Sequence, residues 1–139
     1  MLVDAGTLAG WRRSAPSLAQ LHQALLHLGA QHRQERIAVL ADPALKHQLP
    51  IAEQDDFDAD IASGVLVCAP AGAVAGVQGF VAAVVAKAER AGNDVVLVTD
   101  RSYPFGRLAS LRRDGARWIF DLDTAAPARP VTTGQRRRR

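Results

Sequence analysis

The run Val95-Val96-Leu97-Val98-Thr99-Asp100 decides how this chain folds. Four consecutive aliphatic residues with no intervening charge suit a strand buried on both faces, and Thr99-Asp100 ends it. Working outward, three runs of the same kind precede it. They are Leu2-Val3 ending at Asp4, Ile37-Ala38-Val39-Leu40 before Asp42-Pro43, and Val65-Leu66-Val67-Cys68 after Gly64. Helical patterns lie between them. Residues 15–32 carry an apolar stripe of Leu18, Leu21, Leu25, Leu26 and Leu28, residues 51–62 form a short acidic helix, and residues 77–91 close at Gly92-Asn93. Pro104 opens an expected last helix running to Asp114-Gly115, and Trp118-Ile119-Phe120 reads as a fifth strand. Strands alternating with helices predict an α/β fold: a central parallel sheet of about five strands in three layers, covered by helices on both faces. The domain is expected over residues 1–123, with 124–139 as a basic, flexible tail containing Pro127, Pro130 and Arg136 to Arg139.

With 139 residues, 48% of them hydrophobic, the chain can bury a core without staples. The single cysteine, Cys68, excludes an internal disulfide framework and suits a reducing compartment. The Met1-Leu2-Val3 start lacks a basic n-region and meets Asp4 at once, so it does not read as a signal peptide. The long uncharged stretch 61–86 is interrupted by glycines, Pro70, Ser63 and Gln78, which excludes a membrane span. These features together point to a cytoplasmic domain with no membrane partner. The net charge of +3 is unevenly spread: residues 1–100 hold seven basic and eleven acidic groups, residues 101–139 ten arginines and three aspartates. An acidic body with a basic C-terminal third is a pattern of phosphate-binding proteins.

Parallel sheets bind ligands beyond the carboxyl ends of their strands. Asp4 and Asp100 each end a buried strand, so the topology puts both at one edge. Two close carboxylates repel unless a cation neutralises them, and a hard hydrated ion such as Mg²⁺ or Mn²⁺ suits oxygen ligands. The bland alternative is that Asp4 caps a following turn and Asp100 a loop through Ser102.

The segment Leu2-Val3-Asp4-Ala5-Gly6-Thr7-Leu8-Ala9 resembles the first strand of the PIN-like ribonuclease superfamily, in its NYN and Regnase-type branch. Residues 51–70, ending Gly-Val-Leu-Val-Cys-Ala-Pro, resemble the segment before the third strand of that branch. Gly76-Val77-Gln78 stands where Gly-Val-Asp is usual, residues 95–103 resemble the strand ending Ser-Gly-Asp-Ser-Asp-Phe, and residues 105–120 the helix and strand after it. The resemblance implies a PIN-like, Rossmann-like fold and a magnesium- or manganese-dependent ribonuclease acting on RNA. It makes Asp4 and Asp100 the catalytic, metal-holding acids. Thr7 replaces the usual Asn, Gln78 the helix Asp and Ser102 the second Asp of the last motif, so a four-acid site is reduced to two. Thr7, Gln78, Arg101, Ser102, Arg107 and Arg112 are the expected substrate-binding residues. The alternative reading is a catalytically inactive RNA-binding or protein-interaction module on the same fold.

Other features carry less. Asp56, Asp58 and Asp60 imitate an EF-hand opening, but Ile61 and Val67 occupy the positions of the turn Gly and the bidentate Glu. The acidic residues of segment 53–60 read as a solvated face or as the surface for a homodimer or protein partner. His22, His27 and His32 are spaced by five and share no helix face, which excludes a zinc site. Cys68 reads as core, and Gly72, Gly76 and Gly79 fit neither a P-loop nor a dinucleotide fingerprint.

Overall fold

A computed structural model describes residues 1–69, 76–100 and 106–127. The chain opens on β1 (Leu2–Asp4), α1 (Ala5–Ala9) and α2 (Leu18–Gln31), followed by β2 (Ala38–Ala41), α3 (Leu45–Gln48) and α4 (Ile51–Ser63). Next come β3 (Val67–Cys68), α5 (Gly76–Arg90), β4 (Val96–Val98), β5 (Arg107–Asp114) and β6 (Arg117–Pro127). The six strands form one sheet in the order β3-β2-β1-β4-β5-β6. All neighbours run parallel except β5 and β6. The fold is therefore mixed α/β with a mostly parallel sheet, as the aliphatic runs predict.

Period-2 alternation sends successive strand residues into two separate cores. Val3, Val39, Ala41 and Val98 pack with Leu8 of α1, with Leu18, Leu21 and Leu28 of α2, and with Phe57 of α4. Leu2, Leu40 and Leu97 join Val81 and Val85 of α5 in the other core. Helix α2 begins where Ser17 accepts from the Gln20 N–H, and Glu53 of α4 accepts from the Leu18 and Ala19 N–H groups at 2.8 and 3.0 Å. A carboxylate on a helix N-terminus is stabilising both as a cap and against the macrodipole. Helix α4 ends at Gly64, whose φ of 84° is the left-handed cap conformation that favours glycine.

The expected helix over 104–114 is not found: Arg107–Asp114 is the strand β5, paired antiparallel with β6. Asp114 faces Arg117 across a two-residue loop, and Gly115 there has a φ of 62°. That is the loop in which glycine at the first central position matches the twist of the strands. The strand expected at 118–120 lies near the start of β6, which runs from Arg117 to Pro127. Positions 124–127, expected in the tail, thus belong to the sheet, while 128–139 lie outside the described residues.

Helix α2 closes the outer edge of β6 with polar side chains. Gln31 donates to the Trp118 carbonyl at 2.5 Å and accepts from the Phe120 N–H at 3.0 Å. His27 Nδ1 accepts from the Trp118 N–H at 2.9 Å, and His32 Nε2 meets the Phe120 carbonyl at 2.7 Å. Unpaired edge groups invite aggregation, and here a helix pairs them. Trp118 is fully buried, stacked with Phe120 and tilted against Trp11, with ring centroids 6.4 Å apart in both pairs.

Candidate metal and phosphate site at the β1–β4 edge

β1 lies between β2 and β4, so the chain builds outward in one direction and then returns to the other side of its first strand. The order reverses at that point, the place beyond the strand ends where open α/β sheets bind ligands. Leu2 pairs with Leu97 and Val3 with Val98, which brings Asp4 and Thr99 level and Asp100 one residue further out. Asp4 and Asp100 therefore end neighbouring parallel strands at one edge, as expected from the sequence.

Two threonines orient the two carboxylates. Thr99 Oγ1 donates to Asp4 Oδ2 at 3.1 Å. Buried Thr7 donates to Asp100 Oδ1 at 2.9 Å and accepts from the Asp100 N–H at 3.2 Å. The result ties β1, α1 and the end of β4 together through side chains. Asp4 Oδ1 also accepts from the Gly6 N–H at 3.0 Å, so Asp4 is the N-cap of α1. The bland expectation for Asp4 is thereby met without removing it from the edge.

The carboxylates open onto different concavities. Asp4 and Thr99 line a narrow apolar cavity with Leu2, Leu40, Val81 and Leu97, where the space open to a water-sized sphere is only about 10 Å³. That admits about one water molecule. Asp100 and Thr7 line an open cleft of about 390 Å³ with Gly6, Gly10, Trp11 and Arg12, a size that suits a small organic ligand. Arg12 has a φ of 54°, a left-handed conformation that costs a non-glycine residue about 1–2 kcal/mol. Its guanidinium lies over the Trp11 ring, 5.9 Å from the centroid.

The other sequence-predicted site residues scatter. Gln78 is exposed on the first turn of α5, three residues before the Val81 that lines the cavity beside Asp4, so α5 begins at the right edge. Arg101 and Ser102 lie outside the described residues. Arg107 does not join the site. It pairs with Val96 at the amino end of β4 and forms an ion pair with Asp94 at 2.9 Å, at the opposite edge of the sheet. The expectation placed it near the aspartates because it assumed a helix there, whereas a parallel strand must begin at the amino edge. Arg112 is exposed on β5 opposite Ile119, on a hairpin that also carries Asp114 and Asp121, so no uniformly basic stripe forms. Arg12 was missed, because a left-handed loop residue leaves no periodic signal. Only its position eight residues after Asp4 hints at it.

Segment 53–60 is largely committed inside the fold: Glu53 caps α2, Asp58 pairs with Lys46 and Asp60 with His22. Asp55 and Asp56 remain exposed. His22, His27 and His32 serve three separate structural contacts, with Asp60, the Trp118 N–H and the Phe120 carbonyl. Burial, then the nearby Asp42, pushes the Cys68 thiol up, away from nucleophile chemistry.

No three His, Cys, Asp or Glu side chains converge among the described residues. Two carboxylates is the number through which a hydrated Mg²⁺ or Mn²⁺ commonly binds while retaining waters, and both Asp4 oxygens already accept hydrogen bonds, from Gly6 and Thr99. Asp100 accepts one side-chain bond from Thr7, whereas a carboxylate offers about four acceptor positions. No helix among the described residues is long and apolar enough to cross a membrane. Comparison with protein-family models, with curated proteins and with solved structures found no match.

Proposed function

We propose that the protein is a metal-dependent endoribonuclease-like hydrolase of the PIN-like class, a three-layer α/β/α domain that acts on RNA in the cytoplasm with a reduced acidic site. The observation that supports this best is the pair Asp4 and Asp100, ending adjacent parallel strands where the strand order reverses, each fixed by a threonine hydroxyl. Asp4 and Asp100 are the residues that would hold the ion, and its chemistry there would be to polarise a phosphoryl oxygen and to acidify a water. Thr7 and Thr99 keep the carboxylates in one orientation, so little reorganisation is left for the reaction. Gln78 offers a neutral amide to RNA at the start of α5.

One observation favours the second reading, an inactive RNA-binding module. Asp4 Oδ1 is already engaged as a helix cap, and Gln78 brings no charge, so the site holds two acids. Calorimetric titration with Mn²⁺ tests both, using wild type, Asp4→Asn and Asp100→Asn, alongside cleavage of a 5′-labelled single-stranded RNA. The hydrolase reading expects heat and cleavage in wild type, with both variants at least tenfold weaker. RNA bound with neither metal heat nor cleavage supports the second reading and ends the first.

A further inference from the structure

The geometry points to Arg12 as the residue that binds an RNA phosphodiester in the cleft beside Asp100, an inference that rests on the proposed function. Three features converge on it. The cleft it shares with Thr7 and Asp100 has about the volume of a small-molecule site and opens at the carboxyl edge. The guanidinium of Arg12 makes no hydrogen bond or ion pair among the described residues, so its donors are available to a ligand. Its charged head is nevertheless placed, because it lies over the ring of Trp11, which lines the same cleft, on a backbone in the left-handed conformation.

The chemistry requires such a cation. Asp100 alone repels a phosphate, and among the described residues Arg12 is the only cation that lines this cleft. A guanidinium binds two phosphate oxygens with a planar fork, and an ammonium cannot reproduce that geometry. Gly6 and Gly10 form part of the same wall. Trp11 in turn packs against buried Trp118, so the platform under Arg12 is anchored in the core. Non-glycine residues held at positive φ concentrate where a ligand is gripped.

The test uses the full chain and a fluorescein-labelled eight-nucleotide oligouridine, with binding followed by anisotropy across a salt series. Arg12→Gly suits the left-handed backbone, so its melting temperature should equal or exceed that of wild type. Its affinity for the oligonucleotide should fall about tenfold, and its log–log salt slope should shrink by about 0.7, the value for one phosphate contact on a single strand. Arg12→Lys should recover the slope but not the full affinity. Unchanged affinity and slope in Arg12→Gly overturn the assignment. Mn²⁺ calorimetry without RNA separates this from the metal reading. If wild type binds no Mn²⁺ while Arg12→Gly still loses RNA, the metal reading fails and Arg12 stands. If wild type binds Mn²⁺ and Arg12→Gly binds RNA normally, Arg12 fails alone.

Discussion

Replacing Gln31 by alanine removes two hydrogen bonds at once from the edge of β6. The amide donates to the Trp118 carbonyl and accepts from the Phe120 N–H, beside Trp118, the most buried aromatic among the described residues. Leaving a buried backbone group without a partner costs about 1–3 kcal/mol. Water reaches part of this edge, which argues for the lower half of that range, and alanine regains a few tenths of a kcal/mol in helix propensity. The net expectation is a loss of about 2–3 kcal/mol, or roughly 6–12 °C in melting temperature for a domain of this size. Urea unfolding followed by tryptophan fluorescence measures it directly, since Trp118 and Trp11 report on this core. Gln23→Ala, an exposed position on the same helix, serves as the control and should lie within about 0.5 kcal/mol of wild type. A Gln31→Ala loss no larger than the control would show that the β6 edge is held by its apolar contacts alone. The His27 and His32 bonds to the same strand would then have to be judged equally dispensable.

Two more outcomes follow from the site and from β3. Thr7→Val keeps the shape but removes the donor to Asp100 Oδ1 and the acceptor for its N–H, so stability in urea should fall by about 1–3 kcal/mol. Mn²⁺ affinity should fall with it, whereas Thr7→Ser should retain both. For Cys68 the folded thiol is shifted above its ordinary value of 9.0 by burial and by Asp42, so its contribution to stability is fully present below that pH. That contribution is lost as pH rises through the higher folded value. The wild-type minus Cys68→Ala difference in urea stability should therefore be flat at neutral pH and fall above about pH 9, and iodoacetamide should label the native thiol more slowly than the unfolded one at pH 8.

The first four strands were legible because each is a short aliphatic run, and a parallel sheet buried on both faces asks for little more. Helices α2, α4 and α5 were legible for the same reason at a different period, with boundaries that moved by up to three residues. Helix α1 and strand β5 escaped. Helix α1 has five residues, begins directly at Asp4 and contains Gly6, so nothing in its composition separates it from a loop. Strand β5 reads as a helix in the sequence because Pro104 suits a helix start and Asp114-Gly115 a helix end. Gly115 fitted a helix C-terminus as well as a hairpin turn, and only the pairing with β6 decides between them. Local propensity lost there to the burial of Trp118 and Phe120, which needs a strand beside them.

The misread hairpin and the missed arginine are linked physically. As a helix, 104–114 would have carried Arg107 and Arg112 toward the aspartates, and the positive charge of the site would have come from the C-terminal third. As a strand, it carries Arg107 to the opposite edge and into an ion pair with Asp94. Its partner β6 brings Trp118 under Trp11 instead. Trp11 is then fixed as the surface on which Arg12 lies, eight residues after Asp4 and in the cleft of Asp100. The hairpin thus acts on the site through packing rather than through its own charges. This makes a specific demand on the Gln31→Ala protein. If loosening β6 also frees Trp11, the variant should bind oligouridine more weakly at temperatures well below its melting point, although no residue it changes faces the cleft. Full affinity in a measurably destabilised Gln31→Ala protein would show that the Arg12 loop holds its shape without support from Trp118.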